Sequence, residues 1–100
     1  MKIPKSFYLM GREIDVVWRE DLAANEDAAG RASFRRGKIE LQPNGAQRES
    51  AETYIEQVFC HELVHMILES MAEDSLSENE KFVDLFGGLL HQVMVTSEYG

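Results

Sequence analysis

Between Glu13 and Arg19, Ile14, Val16 and Trp18 alternate with Glu13, Asp15 and Val17. A period of two over a β-branched run predicts a half-buried strand, and the glycine of Met10-Gly11-Arg12 turns it back on a partner strand over Ser6 to Met10. A second hairpin is predicted from Ala32 to Leu41, with Gly37 at its turn, Ala32 and Phe34 on one arm and Ile39 and Leu41 on the other. Past the turn signal Pro43-Asn44-Gly45 the period changes. From Ser50 to Met71 there is no Gly or Pro, and Ala51, Tyr54, Ile55, Val58, Glu62 and His65 recur at three and four, the spacing of one helical face. Ser75 to Asn79 interrupts the pattern, and Phe82, Val83, Phe86, Leu89, Leu90 and Val93 then predict a second amphipathic helix ending near Val95. Asp21 to Gly30, acidic and alanine-rich, fits either a loop or one or two helical turns. The fold class expected is α+β in a single domain over 1–100. A small twisted antiparallel sheet of two hairpins (1–45) packs on a helix over 50–71 and a second, C-terminal helix over 78–95.

Composition narrows what this fold can do. A chain of 100 residues buries only about 60–65% of its unfolded surface, so any site lies near the surface. A net charge of −8 repels phosphate backbones and anionic lipid, which argues against nucleic acid and membrane partners. The lone Cys60 excludes an intramolecular disulfide and fits a reducing compartment; with no signal-peptide pattern after Met1-Lys-Ile-Pro-Lys5, a cytoplasmic location is expected. The acidic positions Asp15, Glu20, Asp21, Glu26 and Asp27 read as a solvated face, and Trp18 and the Arg35-Arg36 pair as core and turn residues.

Within the first helix the chain reads His61-Glu62-Leu63-Val64-His65, an HExxH motif. Histidines four apart on a helix stand about 5–6 Å apart on one side, where two imidazoles can share a metal ion. Glu62, about 100° around the helix from His61, falls beside such an ion in a position suited to a general base. Val58, Phe59, Leu63, Val64, Met66, Ile67 and Leu68 make the helix apolar nearly all round. Ionisable groups inside so buried a helix are costly unless a metal or a hydrogen-bond network satisfies them. Cys60, on the far side from Glu62, reads as packing.

A catalytic zinc site needs a third protein ligand and one open position. Glu80 is the leading choice, with His91, Asp74, Glu78 and Asp84 as alternatives. Glu80, Val83, Asp84, Gly87 and His91 share one face of the second helix. Gly87 there permits close helix approach, and Asp84 can accept the second N–H of a ligand histidine. Competing with this role, Ser77-Glu78-Asn79-Glu80 fits a capping box that would turn Glu80 back on Ser77, although Ser75-Leu76-Ser77-Glu78 fits the same box a step earlier. His91 lies about 16 Å along the helix from Glu80, so both cannot reach one ion.

His61-Glu-Leu-Val-His65, followed by Glu80-Lys-Phe-Val-Asp-Leu-Phe86 and Leu89-Leu90, resembles the HExxH…E pattern of the gluzincin metallopeptidases, in particular the ImmA/IrrE-like group and the single-domain minigluzincins. The resemblance covers about residues 50–95 and implies a zincin-like fold. It implies a zinc-dependent endopeptidase with one Zn2+ on His61, His65 and Glu80, Glu62 as catalytic base, and a peptide or protein substrate paired with a sheet edge within Ala32 to Gln42. Tyr54, Tyr99 and His91 are candidates for oxyanion stabilisation by residue type alone. The rival reading is a non-catalytic module that keeps the metal for stability.

Overall fold

The computed structural model describes residues 1–22, 29–43 and 51–99. β1 (Ser6–Leu9) and β2 (Arg12–Trp18) pair antiparallel with Leu9 opposite Arg12, leaving Met10 and Gly11 as the whole loop. Both residues have positive φ, 56° and 73°, the mark of the type I′ turn that matches the strands' right-handed twist. β3 (Gly30–Ser33) and β4 (Lys38–Leu41) form the second hairpin. Arg12 braces its loop, donating to the carbonyls of Phe34 at 2.6 Å and Arg35 at 2.8 Å.

The α+β class is as expected, with one correction: the sheet is mixed. Its order is β1-β2-β4-β3, and β2 and β4 run parallel, with Val16 opposite Ile39 and Trp18 opposite Leu41. Side-chain character explains which arm of the second hairpin takes the interior. Ile39 and Leu41 of β4 are fully buried, whereas Gly30-Arg31-Ala32-Ser33 can tolerate an edge. The edge expected within Ala32 to Gln42 is therefore β3, shared only at Ala32 and Ser33, and β4 is internal. Glu40 of β4 is also buried, held by Arg19 at 2.8 Å and Arg31 at 3.6 Å. Trp18 departs from its core reading: at the end of β2 it is half exposed. Positions 23–28 of the acidic stretch and 44–45 of the turn signal lie outside the described residues.

α1 (Ala51–Ser70) lies between the sheet and the two helices that follow it, α2 (Asp74–Ser77) and α3 (Glu80–Thr96). On its sheet side Phe59, Cys60 and Met66 join Ile14, Val16, Ile39 and Leu41, with Phe7 set edge-on to Phe59 at 6.5 Å. On the other side Val64 and Leu68 meet Val83 of α3, flanked by Leu76, Phe82 and Leu90. A helix apolar all round thus has both faces covered, as its composition requires. No helix among the described residues is long and apolar enough to cross a membrane.

α1 ends in a Schellman motif: the N–H of Glu73 donates to Leu68 O at 2.9 Å and that of Ala72 to Glu69 O at 3.0 Å. Ala72 holds the left-handed position at φ 59°, where a Cβ is unfavourable by about 1 kcal/mol. Ala72→Gly relieves that contact without touching the core, and is expected to raise the urea midpoint by an amount equivalent to about 0.5–1 kcal/mol. A midpoint unchanged or lowered would contradict the strained turn.

Candidate metal centre

His61 and His65 stand one turn apart on α1 with ring centroids 4.9 Å apart, and each ring is held from behind. Nδ1 of His61 lies 2.9 Å from Asp84 Oδ1, and Nδ1 of His65 lies 2.9 Å from Ser77 Oγ. An Nδ1–H donated to each partner leaves the Nε2 lone pair of both rings free. Both Nε2 atoms face one carboxylate, His61 Nε2 at 3.6 Å from Glu80 Oε2 and His65 Nε2 at 3.7 Å from Glu80 Oε1. Ligand atoms about 2.1 Å from a tetrahedral ion are separated by about 3.4 Å. The donor set, two neutral imidazoles and a carboxylate within 4.8 Å of one another, therefore fits a divalent metal. Burial, with His61 close by, lowers the His65 pKa and keeps the ring in the neutral form that coordination needs.

α3 delivers Glu80 because its N-cap is elsewhere. Asn79 caps the helix, its Oδ1 accepting from the Phe82 N–H at 3.1 Å, so neither serine capping box is used and Glu80 starts the helix with its side chain free. The helices then cross closely at Gly87, where a Cβ would sit 3.2 Å from His61 Cα and 3.3 Å from His61 N. A side chain there would push α3, and with it Glu80 and Asp84, off the histidines. The other proposed ligands lie elsewhere: Asp84 supports His61 from behind, Asp74 and Glu78 fall outside the group, and His91 is buried with Nε2 2.8 Å from Glu56 Oε1.

Glu62 is nine-tenths buried, and desolvation, reinforced by Glu80 and Glu69, pushes its carboxyl up to about 7. It lies beneath the edge strand at Gly30, where a Cβ would come within 3.0 Å of Glu62 Cγ and 2.6 Å of Val58 Cγ1. Beside it opens a cleft of about 450 Å³, lined by Ala29, Gly30, Tyr54, Gln57, Val58, His61, Glu62, Asp84 and Gly88. Tyr54 faces this cleft; Tyr99 is exposed on the C-terminal tail, and Cys60 is in the core. Sequence reasoning missed Ser77, Gly30 and Glu56. Ser77 is twelve residues from the histidine it touches, and only the short α2 turn brings it back. A useful signal would have been the need of each ligand imidazole for a second partner.

Titration with divalent metal ions, zinc among them, is expected to show one tight site, abolished by His61→Ala or Glu80→Ala. Ser77→Ala and Asp84→Asn should each weaken it about 10–100-fold, while His91→Ala leaves affinity unchanged. The His91–Glu56 pair has its own signature. Its hydrogen bond, helped by the α-amino group 3.4 Å from Glu56 Oε2, lowers the Glu56 pKa below the ordinary 4.5. A depressed carboxylate pKa stabilises the fold above its unfolded value and loses that contribution as pH falls through the folded one. Denaturant midpoints should therefore fall as the pH drops below the ordinary carboxylate value of 4.5, and less steeply in Glu56→Gln.

Comparison of the chain with protein-family models, with curated proteins and with solved structures gives no match to any of them.

Proposed function

We propose that this chain is a zinc-dependent metallopeptidase of the gluzincin type, with His61, His65 and Glu80 as zinc ligands and Glu62 as general base. The observation that carries the reading is the conjunction of a three-donor group with a buried carboxylate and an open cleft beside it. A bound zinc ion supplies Lewis acidity, polarising a scissile carbonyl and making water acidic enough to react near neutral pH. Glu62 takes the proton of the attacking water and returns it to the leaving amine. Positive charge at the ligands favours the ionised form of Glu62, which burial alone opposes.

The substrate follows from the shape of the cleft. β3 is an edge strand, and Ala29 and Gly30 line the cleft beside Glu62. An extended peptide added to that edge would pair with β3 main chain and run past the histidines. Asp84 and Ser77 act as positioning residues, each fixing one of the two imidazoles through its Nδ1. A metal held only for stability has no use for a carboxylate buried next to it at a cost in desolvation, which favours catalysis over a purely structural site.

The test is cleavage of a broad peptide library by the zinc-loaded protein, read by mass spectrometry beside Glu62→Gln. Expected is endoproteolysis that falls about 10²–10⁴-fold in the variant while zinc affinity is kept. Zinc bound with no cleavage, or equal cleavage by both proteins, would overturn the catalytic reading and leave a metal-stabilised binding module.

A further inference from the structure

We propose that two copies of this chain pair through the outward face of α3, with the two helices antiparallel. The inward face of α3 is spent on Val83, Gly87 and His91, all buried against the domain. Its opposite face carries Phe82, Phe86, Leu89 and Val93, spaced four, three and four. That is the a/d spacing of a helix–helix seam, narrower than the stripe with which a helix covers a domain core. Phe86, Leu89, Val93 and the flanking Leu85 are between 50% and 62% exposed, and the rings of Phe82 and Phe86 lie 5.7 Å apart with their planes tilted by 38°.

The exposed area points to an interface. At about 200 Å² for a large side chain, these four residues expose on the order of 400 Å² of apolar surface, within the roughly 300–600 Å² of the largest patch on a monomer, a patch that is often functional. Phe82 and Leu90 are partly buried against the core and add little, so the face falls short of the roughly 800 Å² per partner of a standard complex and fits a weak pairing.

Charge selects the occupant. The chain has a net charge of −8, yet no Asp, Glu, Lys or Arg lies between Asp84 and Glu98. A charged partner finds no counter-charge there, and an anionic membrane would find only Lys81 near the face, where surface-bound helices carry several Lys or Arg. Two copies of an acidic chain can meet on this surface because their like charges stay off it. Antiparallel pairing also makes the face complementary to itself. Phe82 then lies opposite Val93 and Phe86 opposite Leu89, large against small, about a two-fold axis midway along the seam. Parallel pairing would set Phe82 against Phe82 and bring two acidic helix starts together.

Sedimentation velocity of the full chain from micromolar to submillimolar concentration is expected to show mass rising from one copy to two. Leu89→Glu and, independently, Val93→Glu should weaken association at least about tenfold while helical circular dichroism and zinc affinity stay at wild-type values. For orientation, Phe82→Cys and Val93→Cys should form a disulfide dimer when mixed and oxidised, and neither should do so alone; the native Cys60 is buried. A single-copy mass at every concentration would overturn the proposal, including one accompanied by binding to lipid vesicles, as would a dimer unaffected by both glutamate variants. Cross-linking of Phe82→Cys to itself would overturn the antiparallel arrangement.

Discussion

The structure depends on keeping three ionisable side chains, His61, Glu62 and His65, on a helix that is covered on both faces. Burial works against the charged forms of two of them, lowering the His65 pKa and raising that of Glu62. The surrounding elements are arranged around that cost. Asp84 and Ser77 satisfy the Nδ1 atoms, Glu80 gathers the Nε2 atoms, and Gly30 leaves room for Glu62 under the sheet edge. A metal ion at the triad would turn the remaining electrostatic penalty into binding energy, and in a domain of 100 residues such energy is a substantial share of folding free energy.

Two backbone features make this possible. The Schellman end of α1, with Ala72 in the left-handed position, turns the chain through α2 so that Ser77 reaches back to His65. Gly87 then lets α3 cross at the Cα of His61, near enough for two carboxylates one helical turn apart to take different tasks. Glu80 reaches the open side of the imidazoles and Asp84 the back of one of them. Asn79 contributes by capping α3 itself, which frees both Glu80 and Ser77 from that duty.

Much of this was legible in the residue pattern because it is local. Alternation at Ile14 and Val16, the three-and-four spacing from Ala51 onward, and the i, i+4 histidines each depend on a few neighbouring residues. The Glu80–Asp84 pair was legible too, since both lie on the face of α3 that Gly87 identifies. What was not legible depends on long-range competition. The parallel pairing of β2 with β4 is decided by which arm of the second hairpin is more apolar, and no local period encodes it. Ser77 reads as a cap until Asn79 is seen to cap, and His91 reads as a ligand until Glu56, 35 residues earlier, is seen to hold it. Trp18 continues an alternating pattern beyond the end of the core that the pattern serves.

α3 shows how so short a chain divides its surfaces. Glu80 and Asp84 serve the metal site, Val83, Gly87 and His91 hold the helix to the domain, and the Phe82-to-Val93 seam faces outward. The inward contact at Gly87 is backbone against backbone, with no side chain to interlock. Helix position there is set by how closely the two backbones approach and by the packing of Val64 and Leu68 on Val83 a turn away. Glu80 and Asp84 ride on the same helix but on a face turned from the seam, held to the histidines by the inward contact at Gly87, so the site is assembled within one copy. Metal ligation and the outer seam therefore use different faces of one helix, so a substitution on the seam can change pairing while the carboxylates keep their places on the histidines.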